Sequence, residues 1–430
     1  MSNKKVAFFT LGCKLNFAET STISRFFTSN GFEIVKFADI ADYYIINSCT
    51  VTSNANKKSR NAISRARKKN AKAVIIVTGC YAQLKDREIE DLHLADYIIG
   101  ANDKAQIETI IEKHSDLIQF KYLTDHKNVE SFFPAYSMGD RTRSFLKIQD
   151  GCDYFCAYCT IPYARGRSRN ESIKSIIKNA ENIALGGIKE IILTGVNIGD
   201  FGKSTGENLF ELLKELVKIS GIERIRIGSI EPNLLEDRII NLIASEKKLM
   251  PHFHIPLQSG SDEVLKLIRR RYSTDLFRKK IETIKELIPE AFIGIDLIVG
   301  LNGETETHFN QTIDFINSLD ISFIHHFQYS EREGTSAINF SPKPSSKIKK
   351  ERAEQIANIS DYKHKIFLES FIGKDSKVLF ESSKKEGKIY GYTDNYIRVC
   401  IKYDKSLINR IVDVKILEFY EDDILKVNLK

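Results

Sequence analysis

The sequence predicts an α/β chain in three parts: an open parallel α/β sheet domain, a central partial (β/α)6 barrel, and a small all-β barrel at the carboxyl end. Three observations carry this. Short apolar runs alternate with helical stretches through the first ~135 residues, a strand-helix unit then recurs about six times, and beyond Phe371 the pattern switches to period two.

The first expected unit, residues 1–135, has strands at Val6–Leu11, Tyr43–Asn47, Ala73–Thr78 and Tyr97–Ile99. Helices fall at Glu19–Asn30, in the basic segment Lys57–Lys69 and at Asp86–Leu92. Alternation of this kind implies a parallel sheet with helices on its faces. Cys13, Cys49 and Cys80 each lie one or two residues past a strand end. In open α/β sheets the loops at the carboxyl ends of strands converge on the ligand crevice. Three cysteines about thirty residues apart in sequence can therefore meet in space, although each alone reads as a buried structural thiol.

The second unit, residues 138–370, has strands at Phe145–Gln149, Glu190–Thr194, Arg224–Gly228, His252–Leu257, Phe292–Val299 and Phe323–Tyr329, with amphipathic helices such as Ser172–Leu185 and Leu209–Ile219 between them. Six units are too few for a closed eight-stranded barrel, so a split barrel results, with its site at the carboxyl ends of the strands. Glycine-bearing turns recur at that rim: Thr194-Gly195, Gly228–Pro232, Gln258–Ser261 and Gly294–Gly300. A glycine that ends a strand explains each one singly. Together they describe a rim that accepts a close-lying ligand, with Thr194, Gly195, Ser229, Glu231, Gln258 and Ser259 the candidates by position.

Directly after the first of these strands, Cys152-Asp-Tyr-Phe-Cys156-Ala-Tyr-Cys159 packs three of seven cysteines into eight residues. Structural zinc takes four protein ligands, and the nearest histidines, His126 and His252, are distant in sequence. Disulfides use cysteines in pairs and belong to secreted chains. Here the local count is odd, and Met1-Ser-Asn-Lys-Lys leads into no apolar signal core. Three thiolates suit an iron–sulfur cubane with one iron left open to a ligand that is not protein, the substrate being one such ligand.

The third unit, residues 371–430, follows a charged stretch, Lys343–Arg352, and a helix that reaches about Phe371. Its strands are expected at Lys377–Phe380, Ile389–Thr393, Tyr396–Lys402, Val412–Tyr420 and Asp423–Asn428, a small barrel of the kind that often holds RNA. Cys400 reads as core.

Composition sets bounds on the partners. The chain has 430 residues, 42% of them hydrophobic, a net charge of +7, and no apolar run near the ~20 residues a bilayer span requires. The expectation is a soluble cytoplasmic protein without a membrane partner, monomeric by preference. Charge is unevenly spread, since nine Lys or Arg and no acid lie between Thr50 and Lys85. A helix there would present Arg65, Arg67 and Lys68 to phosphates, the alternative being a solvated face. Arg165, Arg167 and Arg169 follow the cysteine loop, and Arg270 lies in Arg269-Arg-Arg-Tyr272 after the fourth barrel strand. Contacts of this kind position an RNA whose base is read once exposed in a loop.

The Cys152-x3-Cys156-x2-Cys159 motif after the first strand of a partial barrel resembles the radical S-adenosylmethionine enzymes. Thr10-Leu-Gly-Cys13-Lys-Leu-Asn16, Ile46-Asn-Ser-Cys49-Thr-Val-Thr52 and Val77-Thr-Gly-Cys80-Tyr-Ala-Gln83 resemble the amino-terminal domain of the methylthiotransferases, and the tail resembles their TRAM domain. The likeness covers essentially the whole chain. Within that family, Lys14 and Asn16, with Leu193-Thr-Gly-Val-Asn-Ile-Gly-Asp-Phe-Gly202, are similar to the branch acting on threonylcarbamoyladenosine in tRNA. The isopentenyladenosine branch usually has glutamine after the first cysteine, and the branch modifying a ribosomal-protein aspartate has proline. Phe17-Ala18, where Gln-Tyr is common, and Ser48, where threonine is usual, depart from the pattern without altering any of the cysteines.

The resemblance implies two [4Fe-4S] clusters, one on Cys152, Cys156 and Cys159 and one on Cys13, Cys49 and Cys80. It implies S-adenosylmethionine as the ligand that completes the first, serving as methyl donor and radical source, with Tyr158 near its adenine and the six rim residues about it. The implied reaction is methylthiolation of carbon 2 of N6-threonylcarbamoyladenosine next to the anticodon, a C–H too weakly acidic for a side-chain base. The implied partners are the tRNA anticodon loop and a flavodoxin- or ferredoxin-like electron donor. The same chemistry on a protein side chain, and a non-catalytic iron–sulfur protein that binds RNA or transfers electrons, remain the alternatives.

Overall fold

The computed structural model describes residues 4–113, 120–139 and 142–430. Its amino-terminal sheet contains β1 (Lys5–Thr10), β2 (Glu33–Val35), β3 (Tyr43–Ser48), β4 (Val74–Gly79), β5 (Tyr97–Ile99) and β6 (Lys121–Tyr122). They run parallel in the order β2-β1-β3-β4-β5-β6. The edge strands β2 and β6 are too short for a periodic pattern to reveal. Successive strand residues point to opposite faces, so Ala7, Tyr44 and Ile46 join one core while Val6, Tyr43 and Ile45 join the other. All six residues of β3 are buried, as expected of a central parallel strand covered on both faces.

Helices α1 (Lys14–Ser29), α2 (Ser53–Lys69), α3 (Cys80–Leu84), α4 (Asp86–Glu90) and α5 (Gln106–Lys113) fill the connections. Helix α1 begins five residues before the expected Glu19, directly after Cys13. Its buried face includes Asn16, Glu19, Thr20 and Ser21, so hydrophobic periodicity could not mark its first turns. Helix α2 starts where Thr52 accepts the Ala55 N–H, an N-cap.

The central unit consists of two parallel three-stranded sheets: β7 (Arg143–Lys147), β8 (Glu190–Thr194) and β9 (Arg224–Arg226), then β10 (His252–Gln258), β11 (Phe292–Val299) and β12 (Phe323–Gln328). Parallel bridges Ile225–Leu249 and Ser229–His254 join the halves into one open six-strand array. A single core runs through both, from Leu146 and Ile191 to Ile295 and Ile324. Helices α6 (Ile161–Arg165), α7 (Ile173–Leu185), α8 (Leu209–Leu216), α9 (Asp237–Ser245), α10 (Asp262–Leu267), α11 (Thr274–Leu287), α12 (Glu306–Asn317) and α13 (Ser346–Glu369) cover it.

The carboxyl end is a closed barrel of β13 (Asp375–Lys385), β14 (Lys388–Thr393), β15 (Arg398–Lys402), β16 (Ile411–Glu421) and β17 (Ile424–Leu429), ordered β13-β14-β15-β17-β16. Its core takes in Phe292 of β11 and Phe367 and Leu368 of α13, so it is packed onto the central unit. Arg224 donates to the carbonyls of Tyr392 and Lys377, and Arg226 to that of Asp394. Tyr396, expected at a strand start, instead has φ of 69° in the turn before β15. Its ring lies 4.9 Å from that of His252. Cys400 is buried, in a small cluster with Tyr390 and Ile424 separate from the barrel core that holds its neighbour Val399. Among the described residues no helix is long and apolar enough to cross a membrane.

Candidate active site

Strand β7 delivers the chain through Gln149, Asp150 and Gly151 into the cysteine loop. Gly151 has φ of 70°, and a Cβ there would strike the Arg167 carbonyl, so only glycine fits. The sulfurs of the loop receive donors: Tyr154 N–H to Cys152 at 3.5 Å, Ile161 N–H to Cys159 at 3.4 Å, and Arg270 Nη1 to Cys156 at 3.3 Å. Burial pushes the Cys152 and Cys159 thiols up to about 12, and the neighbouring cysteines add to it. Left to themselves these groups stay protonated. Metal ligation removes that proton, and the three donors then stabilise the sulfur charge.

Tyr158, Cys159, Gln258, Asp296 and Tyr329 line a cleft of about 200 Å³, together with Val51 and Thr52 from the loop after Cys49. Of the expected rim residues, Tyr158 and Gln258 therefore face one space. The turn that follows Thr194 and Gly195 is held by Gln149, whose Oε1 accepts the N–H groups of Val196 and Asn197 while its Nε2 donates to Gly151 O and Ser168 Oγ. A Cβ at Gly195 would lie 2.8 Å from that Oε1. Gln149 was thus legible as a strand end but not as the strut between two rim turns. Ser229 bridges to β10. Ser259 turns toward Thr312 of α12 and accepts the Ser261 N–H. Glu231 pairs with Arg270, a contact that also orients the guanidinium on Cys156.

The second cysteine set arises as the topology requires, since β1, β3 and β4 are adjacent and each ends beside one cysteine. Cys13 caps α1, Cys49 follows β3, and Cys80 opens α3. Gly12, with φ of 98°, brings the backbone so close that a Cβ would sit 3.0 Å from Cys49 Sγ. Cys13 is exposed, while Cys49 and Cys80 are buried. Burial pushes the Cys49 thiol up to about 11, and Cys80 and Cys13 raise it further. Arg165 Nε donates to Cys80 Sγ at 3.3 Å. Among the described residues no three His, Cys, Asp or Glu side chains are gathered as for a single ion.

A buried ionic joint lies between the two sets. Glu19 of α1 meets Lys104, Lys147 (2.8 Å) and Arg165 (3.1 Å), and Asp150 meets Lys147 (2.7 Å), Arg165 (3.0 Å) and Arg169 (3.4 Å). Burial by itself would raise the Glu19 carboxyl, yet Arg165, Lys104 and Lys147 hold it well below the usual carboxylate range. This corrects the expectation for Arg165, and with it Arg169: their guanidiniums are inside the protein and already paired. Arg270 is likewise buried against Glu231 and Cys156. Arg67 binds Asp96 at 2.6 Å and the carbonyls of Ala71, Ala73 and Leu94, which anchors the end of α2. A sequence shows a guanidinium but not its partner. Arg65 and Lys68 do face solvent, and the Arg167 side chain is 75% exposed.

Lys14, beside Cys13, is solvent-accessible where all three units meet. Enclosure lowers its pKa, Tyr396 and Asp296 oppose the change, and Arg143 and Arg226 add to it. Three of these neighbours are already matched, Asp296 with His254 at 2.8 Å, Arg226 with Glu190 at 3.1 Å and Arg143 with Glu381 at 2.9 Å. Among the described residues Lys14 itself forms no ion pair.

Three family models match the chain: "Uncharacterized protein family UPF0004" over residues 5–100, "Radical SAM superfamily" over 146–316 and "TRAM domain" over 369–423. A Cys-x3-Cys-x2-Cys loop in the mouth of an open six-strand parallel barrel defines a radical S-adenosylmethionine enzyme. The fold is shared with the solved radical S-adenosylmethionine methyltransferase TsrM from Kitasatospora setae, at a TM-score of 0.54 and 15% identity, covering 76% of this chain and 75% of that one. The chain belongs to the tRNA methylthiotransferase family of these enzymes, which transfer methylthio groups. It is 38% identical to the threonylcarbamoyladenosine tRNA methylthiotransferase MtaB of Bacillus subtilis, over 96% of this chain and 94% of that one. It is 32% identical to the tRNA-2-methylthio-N(6)-dimethylallyladenosine synthase of Alkaliphilus oremlandii, over 97% and 91%. Membership of the superfamily implies a [4Fe-4S] cluster and S-adenosylmethionine.

Proposed function

We propose that this protein methylthiolates carbon 2 of N6-threonylcarbamoyladenosine next to the anticodon of tRNA, giving 2-methylthio-N6-threonylcarbamoyladenosine. In this reading Cys152, Cys156 and Cys159 hold a [4Fe-4S] cluster completed by S-adenosylmethionine, and Cys13, Cys49 and Cys80 hold a second. The observation that carries it is the pair of three-cysteine sets on either side of one buried joint, each a ligand short of a closed site. When bound, the clusters and S-adenosylmethionine supply a radical able to take hydrogen from a ring carbon and a methylated sulfur to replace it.

The protein's own groups hold, orient and enclose. Arg270 and the Tyr154 and Ile161 amides hold the barrel thiolates by hydrogen bonds. Tyr158 and Gln258 wall the cleft from the barrel side, and Val51 and Thr52 wall it from the side of the second set, so a base lying there is between the two centres. Of the cations expected to meet phosphates, Arg65 and Lys68 face solvent, and Arg167 is exposed while lying 3.7 Å from Asp153. Changing Arg65 and Lys68 together to alanine is expected to reduce the salt slope of tRNA binding by about 1.5 units. Arg67→Ala, by contrast, should lower the stability of the amino-terminal domain. A slope that does not move in the double variant returns α2 to a merely solvated helix.

Choice among adenosine substituents is assigned to Lys14. The threonylcarbamoyl group ends in a carboxylate, and an unpaired ammonium close to Arg143 and Arg226 complements it; a dimethylallyl group offers no such charge. Hydrogen bonds to charged groups contribute about 1.5–3 kcal/mol, so Lys14→Gln should cut kcat/KM on threonylcarbamoyladenosine-containing tRNA by roughly 10- to 100-fold. Binding of the tRNA body should hardly change. Nucleoside mass spectrometry of tRNA from cells with and without the gene tests the activity itself. If the purified enzyme modified tRNA carrying dimethylallyladenosine as well as it modified the threonylcarbamoyl form, this substrate assignment would be wrong.

A further inference from the structure

We infer that Arg165 is a positioning residue for the centre on Cys13, Cys49 and Cys80. In this inference α6 is the spacer that ties the two thiol sets together, and the Arg165 hydrogen bond to Cys80 sets how readily that centre accepts an electron. This rests on the two-cluster reading above.

The geometry is direct. Helix α6 has five residues, about 7.5 Å along its axis. Its first residue, Ile161, donates its N–H to Cys159 Sγ at 3.4 Å, and its last, Arg165, donates Nε–H to Cys80 Sγ at 3.3 Å. One short helix thus touches a sulfur of each set. Both of its ends are pinned: Pro162 lies in the first turn, and the Ala164 carbonyl accepts from Asn102 Nδ2 at 3.2 Å. Just beyond the helix, Gly166 has φ of 76° and a Cβ there would lie 2.8 Å from the His126 carbonyl.

The guanidinium has no freedom to turn. Its other N–H groups go to Glu19 Oε1 (3.1 Å), Asp150 Oδ1 (3.0 Å) and Asn16 Oδ1 (2.7 Å). Asn16 in turn donates to the carbonyls of Leu11 (2.8 Å) and Ser48 (3.1 Å). Those carbonyls lie two residues before Cys13 and one before Cys49. A single arginine therefore reaches Cys80 directly and, through Asn16, the backbone beside the other two cysteines.

The charge balance gives the sign of the effect. Four cations (Lys104, Lys147, Arg165 and Arg169) share the joint with two carboxylates, Glu19 and Asp150. One-electron reduction adds a negative charge to a cluster, and potential rises with hydrogen bonds to its sulfurs and with nearby positive charge. Arg165 supplies both. At the barrel set, by contrast, Arg270 is matched one to one by Glu231.

The test uses the full chain with Cys152, Cys156 and Cys159 all changed to alanine and reconstituted anaerobically, so that the second centre is observed alone by iron content, EPR spectrum and redox titration. Arg165→Gln in that background is expected to keep its iron, lower the midpoint potential and alter the reduced EPR spectrum. Arg165→Lys, which keeps the charge but not the planar set of donors, should recover part of the shift. It is also the deciding variant if the glutamine protein does not fold. An unchanged potential and spectrum in a folded Arg165 variant that retains its iron overturns the inference. A background protein that binds no iron at all refutes the two-cluster reading instead, so the two failures are distinguishable.

Discussion

Cys49→Ala is expected to abolish formation of methylthiolated nucleoside while leaving cleavage of S-adenosylmethionine to deoxyadenosine intact under a strong reductant. Cys156→Ala is expected to lose both. The contrast follows from location: Cys49 directly follows β3 of the amino-terminal sheet, whereas Cys156 sits in the barrel mouth with Arg270 on its sulfur. Two remaining thiolates at the second site cannot hold a cluster, so iron should fall from about eight to about four per chain. Circular dichroism provides the control, because Cys49 is buried beside Gly12 and a collapsed domain would imitate a specific loss. A well-folded Cys49→Ala protein that made product at near the wild-type rate would make Cys49 a structural thiol and require another sulfur carrier.

Glu19→Ala should destabilise the protein by roughly 3–5 kcal/mol, because removing one partner of a buried ion pair leaves uncompensated charge. The Glu19, Lys104 and Lys147 side chains are 0% exposed, and Arg165 is 2% exposed. Glu19→Gln, which keeps hydrogen-bonding capacity, should cost less. Both are read as denaturant midpoints. The pH dependence has a definite sign: the folded-state pKa of Glu19 is depressed, so its contribution is complete above the unfolded carboxylate value of about 4.3 and is lost as pH falls below it. Below that pH, wild type should lose stability more steeply than Glu19→Gln. Equal midpoints for wild type and Glu19→Ala at pH 7 would show that the joint contributes nothing.

The barrel cysteines were legible in the sequence because their chemistry is local. Eight consecutive residues carry three thiols; the odd count argues against disulfides, and the want of a nearby fourth ligand against zinc, without any knowledge of the fold. Cys13, Cys49 and Cys80 were legible for a different reason. Apolar runs mark strand ends, and strand ends in a parallel sheet share an edge, so position in a pattern stood in for proximity. The three-part architecture followed in the same way, from changes of period.

The roles of Arg67, Arg165 and Arg270, the early start of α1 and the strut made by Gln149 lay beyond that reach. A charged residue looks the same in a sequence whether it faces water or a carboxylate 146 positions away, as Arg165 faces Glu19. Helix α1 turns polar groups inward because its partners are polar, Leu11 and Ser48 carbonyls and Asn47 within its own unit and the cations Lys147 and Arg165 of the next, and so hydrophobic periodicity, which registers burial against apolar surface, missed its first turns. Residue type and spacing therefore determine which chemistry the chain can hold and where strands and helices run. Which cations remain for RNA, and which are used to lock the two thiol sets together, depends on contacts between distant segments, because desolvation and pairing are properties of the packed chain and not of its order.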